Sequence, residues 1–166
     1  MIFKFFSKNF YISFSLVTLI YFLDRLTKIF VIQLDKNNFG SDIFNSSYLN
    51  IVLIWNKGIA FGLFSFNETH LYNILSLIIS MIVAVLVIMS FKSKGFKRYS
   101  LLMIVGGALG NLHDRIFYNA VPDFIDFHVG NFHWFVFNVA DIFITLGVIC
   151  MIFMEFIGNN NNDEKI

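Results

Sequence analysis

Four long apolar stretches, separated by more polar segments, lie along the chain at about residues 10–34, 71–91, 99–117 and 135–157. A helix that crosses a bilayer needs about 20 mostly apolar residues, and each stretch is close to that length or longer. The pattern therefore predicts an integral membrane protein that is mainly α-helical and has four transmembrane helices.

Polar and aromatic residues fill the two segments between these stretches, at about residues 35–70 and 118–134. From residue 48 to 66, apolar, aromatic and polar residues alternate around glycine-containing turns, which favours short strands over a fifth span. We therefore expect short strands that lie on the membrane surface within residues 35–70. The polar residues at about 159–166 predict a disordered tail.

The composition agrees with a membrane protein. Of the 166 residues, 57% are hydrophobic and 14% are charged, against about 45–50% and about 25% in soluble domains. The net charge of +1 provides no basic surplus for nucleic acid, so no nucleic-acid partner is expected. A lone cysteine, Cys150, excludes an internal disulfide and a cysteine-rich metal module. We expect one membrane-embedded domain, residues 1–166, without internal repeats.

Basic residues are distributed unevenly between the two predicted sides of the membrane. One side holds seven of them: Lys4, Lys8, Lys92, Lys94, Lys97, Arg98 and Lys165. The other side holds Lys36 and Lys57. Because cytoplasmic loops carry the excess of lysine and arginine, both termini are predicted to be cytoplasmic, and residues 35–70 and 118–134 to face outward.

Polar residues in three of the predicted spans converge at one depth, near the outer surface. They are Asp24, Lys28, Asn111, Asp114, Arg115, Asn138 and Asp141. Ionisable residues inside a bilayer are costly, and they usually face the interior of a helix bundle. We therefore expect a buried polar site there, which Asp123 joins from the loop before the fourth span.

Helical spacing suggests local pairings among these residues. Asp24 and Lys28 are four residues apart and can pair along one helix face, where a purely structural ion pair is an alternative role. Arg25 points about 100° away and is expected to extend towards the lipid headgroups. The glycines at 106, 107 and 110 make the third helix thin, which permits close approach of another backbone.

Two carboxylates, Asp123 and Asp141, are the acids best placed to face each other. Such a pair shares one proton, so that one member can act as general base on a water while the other acts as general acid. Desolvation is expected to keep the proton on Asp141, because Asp123 is predicted to lie nearer the water. Asp126 is a competitor for the role of Asp123, although an extended segment would turn the two side chains to opposite faces.

Other chemistries use some of the same residue types. A proton or cation relay across the membrane is the alternative to an aspartic peptidase, but the inner halves of the second and fourth spans hold almost no charge. His113, His128 and His133 have no familiar zinc-ligand spacing, so no metal is expected. Serine and threonine residues lack a partner histidine or lysine in the same layer, which argues against nucleophilic catalysis.

Five motifs together resemble the lipoprotein signal peptidase family, the type II signal peptidases of bacterial inner membranes. They are the DRLTK motif at 24–28, NKGIAFG at 56–62, GGALGNLHDR at 106–115, VPDFID at 121–126 and FNVAD at 137–141. Their order and spacing on a four-span frame cover nearly the whole chain. Arg25 stands where the family usually has Gln, and Phe135 stands where it often has Pro.

The resemblance implies an aspartic endopeptidase whose catalytic residues are Asp123 and Asp141. It also implies that the strands within residues 35–70 form a small extracytoplasmic β cradle. The further polar site residues that it implies are Asp24, Lys28, Asn56, Gly110, Asn111, Arg115 and Asn138. It also implies cleavage of diacylglyceryl-modified prolipoproteins on the amino side of the lipidated cysteine, without a cofactor. We expect a monomer in the bacterial inner membrane, surrounded by lipid, with its active site near the outer face and Asn56 reaching the substrate or an aspartate.

Overall fold

The computed structural model describes residues 8–38, 43–58 and 69–163, which form four helices and three strands. The helices are α1 (Lys8–Asn37), α2 (Thr69–Lys92), α3 (Gly95–Tyr118) and α4 (Val139–Asp163). The strands are β1 (Leu49–Asn56), β2 (Val121–Val129) and β3 (Phe132–Phe137). The prediction of a mainly helical fold with a small sheet is confirmed.

Helix α3 lies at the centre and packs against α1, α2 and α4. Its glycines make this possible. A Cβ on Gly106 would lie 2.9 Å from the Cβ of Ile20 on α1, and a Cβ on Gly107 would collide with the backbone carbonyl of Ala140 on α4. The predicted close approach to a thin third helix is therefore confirmed on two sides of α3.

Two of the described helices are long and apolar enough to cross a membrane, over His70–Lys92 and Val139–Ile157. Helices α1 and α3 are equally long, but each carries charged residues that the fold buries, including Asp24 and Asp114. Large apolar side chains cover the outer surfaces of the helices, among them Phe22, Leu77 and Phe153, which are more than half exposed. Such a surface suits a lipid environment.

The sheet is antiparallel, in the order β1-β2-β3. It corrects the predicted cradle, because two of its three strands come from the segment between α3 and α4 and one from residues 35–70. Asp123 pairs with Ile54 in the middle of the β1–β2 ladder, so it lies on a strand and not on the predicted loop. The predicted strand residues 59–66 lie outside the described residues.

Helix α4 begins later and ends later than predicted. Residues 132–137 belong to β3, where Phe137 pairs with Ile125, because an apolar run does not by itself distinguish a strand from a helix. Asn138 is therefore the residue before the helix and not part of its first turn. At the other end α4 continues to Asp163, so the predicted disordered tail is helical over residues 159–163.

Candidate active site

A cavity of about 370 Å³ opens where the sheet meets α3 and α4, within the usual range for ligand pockets. Six predicted site residues line it: Asn56, Asn111, Arg115, Asp123, Asn138 and Asp141. The rest of the wall is mostly apolar, with Ile79, Ile144 and Val148 among its residues. The structure therefore brings together both predicted acids and all three predicted asparagines.

Asp123 is supplied by β2 and is only 3% exposed. Its Oδ1 accepts a hydrogen bond from Asn138 Nδ2 at 2.6 Å, and its Oδ2 accepts one from Asn56 Nδ2 at 2.9 Å. Burial, followed by the nearby carboxylate of Asp141, raises the pKa of Asp123 to about 6. The carboxyl group can therefore gain or lose a proton close to neutral pH.

Asp141 lies in the first turn of α4. Its Oδ1 accepts a hydrogen bond from Asn111 Nδ2 at 2.8 Å, and its Oδ2 accepts one from the backbone N–H of Asn138 at 3.1 Å. In return, the backbone N–H of Asp141 donates to Asn138 Oδ1. This reciprocal arrangement is a capping box at the start of the helix.

The two acids have different surroundings. Asp123 lies on a strand and is buried by the sheet, whereas Asp141 is partly exposed. The expected assignment of the shared proton to Asp141 stays a prediction.

Three asparagine side chains are oriented by hydrogen bonds that neighbouring residues donate to their Oδ1 atoms. Asn56 Oδ1 accepts from the backbone N–H of Gly58 at 2.8 Å, and Asn111 Oδ1 accepts from Lys28 Nζ at 2.8 Å. Asn138 Oδ1 accepts from Asp141 as described above. Because each carbonyl oxygen is engaged, each amide NH₂ is directed at a carboxylate. These three amides and the backbone N–H of Asn138 together give every oxygen of Asp123 and Asp141 one N–H donor.

A buried ion cluster supports this arrangement from behind. Lys28 Nζ donates to Asp24 Oδ2, Asp114 Oδ2 and Asn111 Oδ1 at 2.7–2.9 Å, which uses all three of its protons. Lys28, Asp24 and Asp114 are all fully buried. With Arg25, the cluster contains two acids and two bases, so the buried charges balance.

Arg25 departs from its predicted position. It is 7% exposed and contacts Asp114 Oδ1 at 2.6 Å and Asp24 Oδ2 at 3.0 Å, whereas it was expected to reach the headgroups. Two buried carboxylates need a second cation beside Lys28, and Arg25 is within reach. The sequence indicates Asp114 only as one of several polar residues. If Arg25 extended to the headgroups, the charge of Asp114 would be unmatched, and this imbalance is the signal that could have identified the Arg25–Asp114 ion pair.

Asp24 and Gly110 do not line the cavity; they support the start of α4. Asp24 Oδ1 accepts a hydrogen bond from the backbone N–H of Ala140 at 3.0 Å, one of the otherwise unpaired donors in the first turn of α4. A Cβ on Gly110 would lie 2.5 Å from Asp24 Oδ2. The absence of a side chain at position 110 therefore keeps Asp24 in its place.

Arg115 joins the end of β1 to α3. Its Nη2 donates to the carbonyl oxygen of Gly58 at 3.0 Å, and its Nη1 donates to the carbonyl oxygen of Asn111 at 3.2 Å. Its Nε is buried without a hydrogen-bond partner among the described residues. Arg115 thus fixes the turn that orients Asn56 and lines the cavity itself.

Asp126 belongs to a different cluster. Its carboxylate contacts His133 Nδ1 at 2.8 Å and lies 3.4 Å from Asn50 Nδ2. It is not among the residues that line the cavity, so it is not placed to compete with Asp123. In the described ranges, no group of three or more histidine, cysteine and acidic residues is arranged to hold a metal ion.

Two carboxylates beside one cavity, with raised proton affinity on at least one, can provide a general base and a general acid for hydrolysis. Comparison with known proteins defines this chemistry further. A family model described as signal peptidase (SPase) II matches residues 16–157. The chain belongs to the signal peptidase II family. It is therefore an aspartic peptidase, which decides against the proton relay that the sequence had left open.

Relatives of the family extend over nearly the full chain. The lipoprotein signal peptidase of Pelagibacter ubique (strain HTCC1062) is 47% identical over 159 residues, which cover 95% of this chain and 96% of that protein. The lipoprotein signal peptidase of Anaplasma phagocytophilum (strain HZ) is 44% identical over 136 residues, covering 80% and 84% respectively. A solved bacterial membrane enzyme is similar with a TM-score of 0.72 and 28% identity, covering 90% of each chain. The chain thus shares its fold with a bacterial membrane enzyme.

Proposed function

We propose that the protein removes the signal peptide from diacylglyceryl-modified prolipoproteins, cleaving on the amino side of the lipidated cysteine. Family membership and the names of the relatives support the substrate class. The observation that carries the chemistry is the set of four N–H groups, one on each oxygen of Asp123 and Asp141. Such a set holds both carboxylates in fixed orientations beside the cavity, which is what a shared-proton dyad requires.

In the proposed reaction, Asp123 and Asp141 share one proton and hold a water between them. The ionised carboxylate takes a proton from the water, and the water oxygen attacks the scissile carbonyl carbon. The protonated carboxyl then donates to the departing amide nitrogen, the C–N bond breaks, and the dyad again holds one proton. No cofactor takes part in any step.

The supporting residues have distinct proposed roles. Asn56, Asn111 and Asn138 orient the carboxylates, while Lys28 and Asp24 fix Asn111 and the start of α4. Gly110 makes room for Asp24. Arg115 has a buried Nε without a hydrogen-bond partner among the described residues. We propose that Arg115 binds the substrate backbone in addition to holding the turn after β1.

The proposed setting is the inner membrane of a bacterium, with one domain of residues 1–166 acting as a monomer among lipids. All four helices would span the bilayer, both termini would be cytoplasmic, and the sheet with the dyad would lie near the outer face. The distribution of basic residues supports this orientation. The balanced charges of the ion cluster support burial of α1 and α3 in the bilayer despite their ionisable residues.

The test uses purified protein in detergent and a prolipoprotein whose cysteine carries diacylglycerol. Asp123→Asn and Asp141→Asn should each abolish the mass shift that cleavage produces, and a chelator should leave the wild-type rate unchanged. Asp126→Asn is the matched control, because Asp126 is a buried, hydrogen-bonded acid on the same strand. Wild-type rates in either dyad variant, or loss of activity in the control alone, would contradict the proposal.

A further inference from the structure

Asp141 also borders a second, smaller cavity. This cavity measures about 210 Å³ and is lined by Phe135, Phe137, Asp141, Ile142, Thr145 and Leu146. It shares Asp141 and Thr145 with the catalytic cavity. An apolar space therefore begins directly beside one of the two proposed catalytic carboxylates, and the mechanism above does not use it.

Four aromatic rings connect this cavity to the tip of the β2–β3 hairpin. The ring centroids are 6.1 Å apart from Phe132 to Trp134, 6.2 Å from Trp134 to Phe135 and 5.5 Å from Phe135 to Phe137. A β-bulge places Trp134 and Phe135 opposite a single β2 residue, between the His128–His133 and Asp126–Val136 pairs. The bulge brings neighbouring residues of β3 towards one face, so the rings form an uninterrupted apolar wall.

On α4 the cavity continues into a stripe of exposed apolar side chains. Ile142, Leu146, Ile149 and Phe153 follow the spacing of one helix face, and their exposure rises from 37% at Ile142 to 61% at Phe153. The eleven-residue rise from Ile142 to Phe153 amounts to about 16 Å. That length is close to the thickness of one leaflet, about half of the 30 Å hydrocarbon core.

We propose that this cavity and stripe, called here the acyl groove, hold one acyl chain of the substrate's lipidated cysteine. The inference rests on the proposed function and adds a specificity site to it. The groove starts next to the dyad, where the lipidated cysteine must lie, and it runs along the bilayer for the length of a fatty acyl chain. A side chain of the signal peptide would fill the cavity but would have no use for the stripe.

Phe135 is the residue of this chain that closes the groove on the sheet side. It stands at one of the two positions where the sequence departs from the family pattern, and it contacts both Trp134 and Phe137. Because the surrounding lipid is as apolar as the groove, an acyl chain would bind there through the shape and position of the groove and not through removal of water. Its effect should therefore appear as a preference between chain lengths and not as an absolute requirement for lipid.

The experiment compares two synthetic prolipoprotein peptides, one with acetyl and one with palmitoyl chains on the cysteine glyceryl group. Leu146→Trp, which fills the groove, should lower kcat/KM for the palmitoyl peptide about fivefold and leave the acetyl peptide, whose chains are too short to reach along the groove, within about twofold of wild type. Phe135→Ala, which removes one wall, should reduce the palmitoyl preference in the same direction. Leu77→Trp on α2, at a leucine that is 61% exposed against 44% for Leu146, is the control and should change neither value.

The outcomes separate this inference from the proposed function. If the wild type cleaves both peptides in a dyad-dependent way but the groove variants treat the two lengths alike, the acyl groove is overturned and the proposed function stands. An equal loss for both peptides in Leu146→Trp and Phe135→Ala would assign the cavity to the peptide and also overturn the inference. If the wild type cleaves neither peptide, the proposed function fails first.

Discussion

Lys28 Nζ donates to Asn111 Oδ1 at 2.8 Å and thereby determines which end of that amide faces Asp141. The lysine does not contact the dyad itself. It acts through the side-chain amide of Asn111: because Lys28 holds the amide oxygen, the amide NH₂ faces Asp141. A buried cation from α1 thus positions a proposed catalytic carboxylate on α4 by way of α3.

Replacing this lysine should therefore affect both stability and catalysis. Lys28→Met would leave Asp24 and Asp114 with Arg25 alone, an uncompensated buried charge that costs about 3–5 kcal/mol. In protein that still folds, we expect kcat to fall about a hundredfold, because Asn111 can rotate away from Asp141. The measurements are thermal unfolding in detergent and the cleavage rate, with Lys36→Met, an exposed lysine of α1, as control. A stable, fully active Lys28→Met would disprove the role of the cluster.

Asn138 has two functions that substitutions can separate. Asn138→Ala removes the helix cap and the donor to Asp123, so it should cost about 1–2 kcal/mol of stability as well as activity. Asn138→Ser retains a capping oxygen but has no NH₂ for Asp123. We expect Asn138→Ser to recover most of the lost stability and little of the lost rate. Equal recovery of both would mean that the bond to Asp123 is unimportant.

Removal of the Asp123 charge should change how stability depends on pH. The pKa of Asp123 is raised to about 6 in the folded state, against about 3.9 in an unfolded chain. A raised pKa favours the folded state below pH 4, and that contribution is lost as the pH rises through 6. Between pH 4 and pH 8 the wild type should thus lose on the order of 2 kcal/mol relative to Asp123→Asn.

The pH comparison also allows for the chemistry of the substituted amide. In Asp123→Asn the new side-chain NH₂ would face the NH₂ group of Asn56 or Asn138, which are both held as donors. This mismatch lowers the stability of the variant by an amount that does not change with pH. Unfolding of both proteins at pH 4, 6 and 8 therefore measures the charge of Asp123 together with its coupling to Asp141. A difference in stability that is constant with pH would contradict the prediction.

The proposed orientation can be tested with single cysteines in a Cys150→Ser background. An impermeant thiol reagent added to intact cells should label Asn45→Cys, in the segment before β1, and should not label Ser93→Cys, between α2 and α3. Labelling of Ser93→Cys in lysed cells shows that the position is reactive when accessible. External labelling at Ser93 would overturn the four-span arrangement.

Sequence patterns predicted the helices well because each needs only a long apolar run. They also predicted that Asp123 and Asp141 lie together, and the two residues do line one cavity. The patterns were less informative about β2 and β3. Phe135 and Phe137 extend an apolar run into α4, and nothing in that run marks the change from strand pairing to helix before Asn138. The position of Asp123 depends on strand pairing, so the sequence predicted a loop where the structure has a strand.

Arg25 shows a second limit of sequence reasoning. Helical geometry alone turns it about 100° from Asp24, and a long side chain next to lipid normally extends to the headgroups. Its actual position depends on Asp114, which is 89 residues away in the chain. Partners of this kind become visible only when α1 and α3 are packed together, whereas the Asp24–Lys28 pair lies within one helix and was predicted correctly.

The capping box between Asn138 and Asp141 makes one amide hydrogen a reporter of the assembled site. The backbone N–H of Asp141 is bonded to Asn138 Oδ1, so its hydrogen exchanges with solvent only when the first turn of α4 opens. Opening that turn also releases the Asp141 carboxylate from Asn138. The exchange rate of this single hydrogen therefore measures how often the two carboxylates lose their alignment, even in a molecule that is otherwise fully folded.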